Sequence, residues 1–164
     1  MDGSGSGKVL ASPVAPNGGG NLGSPQGVDW RAAFVGAAVG IAGPAYFGTL
    51  ITNASLRLLL AQGRSVQEAY AYLDRFELSA PMILELAAFL ACMLACGWIS
   101  AAYARRASNL QGLIAGSLAA TFPLVMSFNP ISQGTPPWYM TVQIALPLVA
   151  SFVGAYLFKR MAQH

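Results

Sequence analysis

Half of this chain carries almost no charge. Four stretches, 32–53, 82–103, 110–128 and 138–158, cover 84 of the 164 residues and hold a single charged side chain, Glu85. The other fourteen Asp, Glu, Lys and Arg residues crowd into what remains. Each stretch has about the length an α-helix needs to cross ~30 Å of hydrocarbon at 1.5 Å per residue. Charged residues make up 9% of the whole chain, against about 25% in soluble domains, so too little polar surface exists to face water on all sides. In hydrocarbon an unpaired backbone N–H or C=O costs several kcal/mol, and only a helix pairs them all within one segment. The pattern predicts an all-α integral membrane protein: four transmembrane helices in an antiparallel bundle, over 29–160.

The segment ahead of it differs in kind. Residues 1–27 include eight Gly, four Ser and three Pro and no aromatic residue. Such a composition cannot bury enough apolar area to offset its ordering entropy, so a disordered tail is expected over 1–28, and it lacks the basic start and early apolar core of a secretory signal.

Local signals sharpen the helix ends. Asp29 is placed to cap the first span, and Trp30 and Arg31 suit the interfacial belt. Pro44 sits inside that span and should kink it. Leu56–Leu60 stays apolar except for Arg57, which allows the helix to run past the bilayer boundary. Between spans one and two, Ser65 with Glu68 three residues later fits a capping box. The apolar side chains Val66, Ala69, Tyr70 and Leu73 recur at helical spacing, so a short amphipathic helix is expected over 65–77, lying on the membrane or the bundle mouth. Pro81 opens the second span, where the first helical turn tolerates proline.

Four spans put both termini on one side. With the termini inside, Lys8, Arg31, Arg105, Arg106, Lys159 and Arg160 are cytoplasmic, against Arg57, Arg64 and Arg75 outside. This asymmetry predicts an inner-membrane protein with cytoplasmic termini. The net charge of +3 is thereby explained by orientation, and no nucleic-acid partner is expected, because the basic residues form no cluster on a soluble face.

Small residues recur every four positions on each span: Gly36 and Gly40; Ala88, Cys92, Cys96, Ser100 and Ala104; Gly112, Gly116 and Ala120; Ala150 and Gly154. Lipid gives no hydrophobic drive for helix association, so such flat strips are where helices pack closely. They serve the bundle or a homo-oligomer contact equally well. Cys92 and Cys96 belong to such a strip and read as packing residues, since no cation lies near in sequence to activate a thiol.

Chemistry-bearing residues are few. The one histidine is His164, the last residue, so neither a haem between transmembrane histidines nor a His-rich metal site is expected, and no cofactor is. No phosphate-binding glycine loop, nucleophile elbow or paired carboxylates occur. Glu85 stands out, because a carboxylate inside a span is costly and marks ion or proton pathways by default. It lies one turn after Pro81, close to a helix N-terminus that favours an anion, and within plausible reach of Arg57 or Arg75. Thr49, Thr52 and Asn53, with Ser127 and Asn129, would line a polar vestibule around it. The alternative is that the hydroxyls bond back to their own helices. Two functions follow: a non-enzymatic accessory or protective membrane protein that binds a protein partner in the bilayer, or an oligomeric transporter or channel subunit that uses Glu85 and the prolines Pro44, Pro123 and Pro147.

Overall fold

The computed structural model describes residues 28–75, 79–104, 109–128 and 135–162. The tail over 1–27, Phe76 and Glu77 of the expected amphipathic helix, Arg105, Arg106, Asn129 and His164 lie outside the described residues. Five helices follow in order: α1 Trp30–Ala61, α2 Val66–Leu73, α3 Ala80–Tyr103, α4 Asn109–Ser127 and α5 Pro137–Met161. Four of them, all but α2, are long and apolar enough to cross a membrane. The architecture is an all-α membrane bundle. α1 packs against α3 and α4, α5 packs against the same two, and α1 and α5 therefore occupy opposite corners.

The interior is built from small residues. Ala33, Ala101, Ala115, Ala155, Ser100 and Ser151 are fully enclosed, and Met93 is the largest side chain buried to that degree. Large apolar side chains point outward: Phe34, Tyr46, Ile83, Val125 and Phe128 are more than half exposed. In water this inversion would be ruinous, but in lipid the outer face loses nothing by being apolar, and small residues let backbones approach. The strips named above are occupied within the bundle. Gly36 faces Cys96 and Ser100 of α3, Gly40 faces Cys96 of α3 and Ala119 of α4, Gly112 and Gly116 face Ser151 of α5, and Gly154 faces the backbone of Leu94 and Trp98 on α3. Cys92 and Cys96 are buried and unpaired.

α1 has 32 residues, about 48 Å at 1.5 Å per residue, longer than ~30 Å of hydrocarbon. Its start is fixed as the residue type dictates: the Asp29 carboxylate accepts from the N–H groups of Arg31 and Ala32 at 3.0 and 3.2 Å. Its end is a Schellman turn. Gly63 adopts φ 83°, its N–H reaches Leu60 O, and Arg64 N–H reaches Leu59 O at 3.3 Å, the two bonds that close a helix whose next residue is left-handed.

α2 is shorter than the expected 65–77, ending at Leu73 with Asp74 as its C-cap. Two turns do not hold themselves together in water, so the cap and the contact with α1 matter. Ala69 is fully buried, while Val66 and Tyr70 remain exposed, free to meet a membrane surface. The capping box is complete: Ser65 Oγ accepts from Glu68 N–H at 3.3 Å, and the Glu68 carboxylate accepts from Ser65 N–H and Oγ at 2.9 Å each. These bonds from Ser65, assisted by Arg64, hold the Glu68 carboxyl below its ordinary value of 4.5. A lowered folded-state value means the stabilisation is complete above the ordinary carboxyl range and disappears as pH falls through the folded value. Amide exchange at Val66–Glu68 is therefore expected to accelerate on acidification below about pH 4.5, and in Glu68→Gln to be pH-insensitive beyond the intrinsic rate. Identical acid profiles for the two chains would remove the cap from the account.

Candidate functional site

A partly open cleft of about 330 Å³ lies between the helices at the end of the bundle away from the termini, and all four spans contribute to its wall. α1 supplies Gly40, Ile41, Pro44, Ala45 and Gly48; α3 supplies Glu85, Leu86, Phe89 and Met93. α4 supplies Ala119, Phe122, Pro123 and Met126; α5 supplies Tyr139 and Gln143. The lining is mainly apolar with a few convergent polar groups, the usual make-up of a small-molecule site.

Sequence and helix geometry explain why space remains here. The strips close the terminal half of the bundle, where Gly36, Gly112 and Gly154 bring backbones together. Toward the other end the spacing of small residues gives way to Phe89, Phe122 and Met126, and to glycine at Gly48, beside which a Cβ would meet nothing within 4 Å. Prolines enter at the same level. Pro44, Pro123 and Pro147 lie inside α1, α4 and α5. Each lacks the N–H that an ordinary residue would offer to the carbonyl four residues earlier, that of Gly40, Ala119 or Gln143. All three of those residues line the cavity.

Glu85 stands five residues into α3, about 7 Å along its axis, and is half-buried. Thr52 Oγ1 of α1 donates to Glu85 Oε1 at 3.0 Å. Neither Arg57 nor Arg75 takes the place expected for it: among the described residues no Lys or Arg side chain pairs with Glu85. Arg64 instead lies over the Tyr72 ring, 5.0 Å from its centroid.

The vestibule residues separate accordingly. Thr52 meets Glu85, whereas Thr49 Oγ1 donates to Ala45 O and Asn53 Nδ2 to Thr49 O, each at 2.8 Å and on exposed helix surface. Ser127 Oγ likewise reaches Leu124 O at 2.6 Å. These three satisfy their own helices, the alternative that short polar side chains favour in lipid. The polar groups that do share the cavity with Glu85 are Tyr139 and Gln143, one turn apart on α5 and hydrogen-bonded to one another through their side chains. In the sequence Tyr139 follows Trp138 at the start of a span, the interfacial pattern that marks a boundary rather than a site. Gln143 is uncharged and escapes a count of charges, although a neutral amide one turn inside a span is a detectable irregularity.

Cys92 and Cys96 lie behind the cavity wall, on the strip facing α1: the Cys92 sulfur is the nearest atom to a Cβ built on Gly43, and the Cys96 sulfur is among the nearest to one on Gly40. Among the described residues no three His, Cys, Asp or Glu side chains are grouped to hold a metal ion. Comparison with family models, with curated proteins and with solved structures found no match for this chain.

Proposed function

We propose that this chain is the solute-binding subunit of a membrane carrier, non-enzymatic and placed in a cell (inner) membrane with both termini cytoplasmic, and that it takes a small molecule into the Glu85 cavity. The observation that carries the reading is the coincidence of the one charge in the spans with a cavity to which all four spans contribute. Among the described residues no cation pairs with Glu85, and the strips that a bilayer partner would need are engaged between helices of the same chain. Prolines on three spans give the helices points at which to flex around the site. The basic residues Arg31, Lys159 and Arg160 at the terminal end support the orientation.

Access to Glu85 is the measurable consequence. Dicyclohexylcarbodiimide, an apolar reagent that adds to protonated carboxyls, is expected to modify Glu85 in detergent-solubilised protein held at acid pH, an adduct located by peptide mass spectrometry and missing from Glu85→Gln. An unmodified Glu85 under conditions that label exposed acids would mean the cavity is closed to small molecules, and the reading would fall.

A further inference from the structure

The geometry points to a ligand class for this cavity: a monovalent organic cation with an apolar body, a substituted ammonium rather than a metal ion, an anion or a neutral lipid. The inference rests on the reading of the cavity as a solute site and adds the chemistry of the guest.

Charge comes first. Among the described residues Glu85 receives one hydrogen bond, from Thr52 to Oε1, and a carboxylate has room for about three more acceptances. Among the described residues no Lys, Arg or His lines the space, so an ionised Glu85 leaves it with a net negative wall. An anion is excluded on these grounds, and a neutral guest would leave the charge uncompensated in a medium where that is expensive.

Shape and surface then separate a metal ion from an organic cation. A bare cation of the sodium or calcium kind needs several oxygens within about 2.6 Å, whereas most of this wall is hydrocarbon: Ile41, Leu86, Phe89, Met93, Phe122 and Met126. A volume of about 330 Å³ falls within the range of small-molecule sites, roughly 300–1,000 Å³. Aromatic rings on three helices, Phe89, Phe122 and Tyr139, border it, Phe122 from the open side, and ring faces attract an ammonium. Carboxylate, rings and apolar walls together fit a substituted ammonium whose carbon groups fill the remaining space.

Benzyltrimethylammonium and its uncharged isostere neopentylbenzene make the test, with the full chain in maltoside micelles and binding measured by equilibrium dialysis. The cation is expected to saturate at one per chain. Glu85→Gln should weaken it tenfold or more, the range for a lost charge-assisted contact, and Phe89→Leu several-fold, while neopentylbenzene is expected to bind weakly to the wild type and no worse to either variant. Equal affinity of the two probes for the wild type, or undiminished cation binding in Glu85→Gln, would overturn the cationic assignment. Binding of the neutral probe alone would likewise overturn the assignment yet leave the solute site standing. Failure of both probes together with an unmodified Glu85 in the carbodiimide experiment would remove the site itself.

Discussion

Gly97→Val and Gly154→Val are expected to prevent the bundle from closing, while Gly48→Ala leaves it unchanged or slightly more stable. A Cβ on Gly97 would overlap the carbonyl oxygen of Ser151, and one on Gly154 the carbonyl oxygen of Leu94. Both obstacles are backbone, on α5 for the first and on α3 for the second, so the two glycines guard the same α3–α5 crossing from opposite sides. Overpacking that side chains can absorb costs about 1–3 kcal/mol. Helix backbones cannot swing aside as side chains do, and the expected loss therefore lies at the top of that range or beyond it. Ser151 Oγ, which donates to Met93 O at 3.1 Å across the same crossing, would be pulled from its partner and left buried. Gly48 is the control within the same fold: nothing lies within 4 Å of its built Cβ, and alanine in a helix interior is favoured over glycine by about 1 kcal/mol. The midpoint of unfolding by dodecyl sulfate in mixed micelles, followed by far-ultraviolet circular dichroism, reads all three variants. A wild-type midpoint for Gly97→Val would mean that α3 and α5 do not touch there.

That crossing marks the boundary of what can be read without coordinates. Spans are legible because lipid excludes charge, and the caps at Asp29 and Ser65 are legible because a short polar side chain before an apolar run has few other uses. Strips of small residues are equally plain, since a step of four residues is one face of a helix. Which neighbour each strip meets is a tertiary fact. On α3 the visible line through Cys92, Cys96 and Ser100 turns toward α1, and the contact with α5 falls on Gly97, one position off the line and invisible to a search at that spacing. The far end of α1 is legible in the apolar Leu56–Leu60, which lets the helix run past the bilayer boundary, and the buried Leu59 packs it there. The site was half legible. Glu85 announces itself as a charge in lipid and Thr52 as a hydroxyl beside it, but Tyr139 and Gln143 enter from another helix, and only the fold gathers them.

Gln111→Leu is expected to loosen the terminal end of the bundle by about 1–3 kcal/mol, the cost of stranding one buried donor, the Asp29 N–H, with a smaller part from Ser100 Oγ. Gln111 begins α4, is 2% exposed, and uses both ends of its amide. Nε2 donates to Asp29 O at 2.6 Å and to Ser100 Oγ at 3.3 Å, and Oε1 accepts from Asp29 N–H at 3.2 Å. One side chain thus joins the start of α1, the end of α3 and the start of α4. Leucine matches its volume but meets none of these groups. Hydrogen bonds between membrane helices average nearer 0.6 kcal/mol in double-mutant cycles, because the separated helices find other partners. Here one of the bonds gives the Asp29 N–H its acceptor at a helix entry, where the Asp29 carboxylate is committed to Arg31 and Ala32, whereas the Asp29 carbonyl keeps Ala33 N–H at 3.0 Å. The loss should accordingly exceed that average. Ser100→Ala removes only the longest of the three bonds and should cost less than 1 kcal/mol. Dodecyl sulfate midpoints rank the two variants, and amide exchange at Asp29 locates the damage. Faster exchange there in Gln111→Leu, with Thr52 and Glu85 undisturbed at the other end, is the pattern that a local three-helix clamp requires; equal midpoints for Gln111→Leu and the wild type would show that the bundle closes without it.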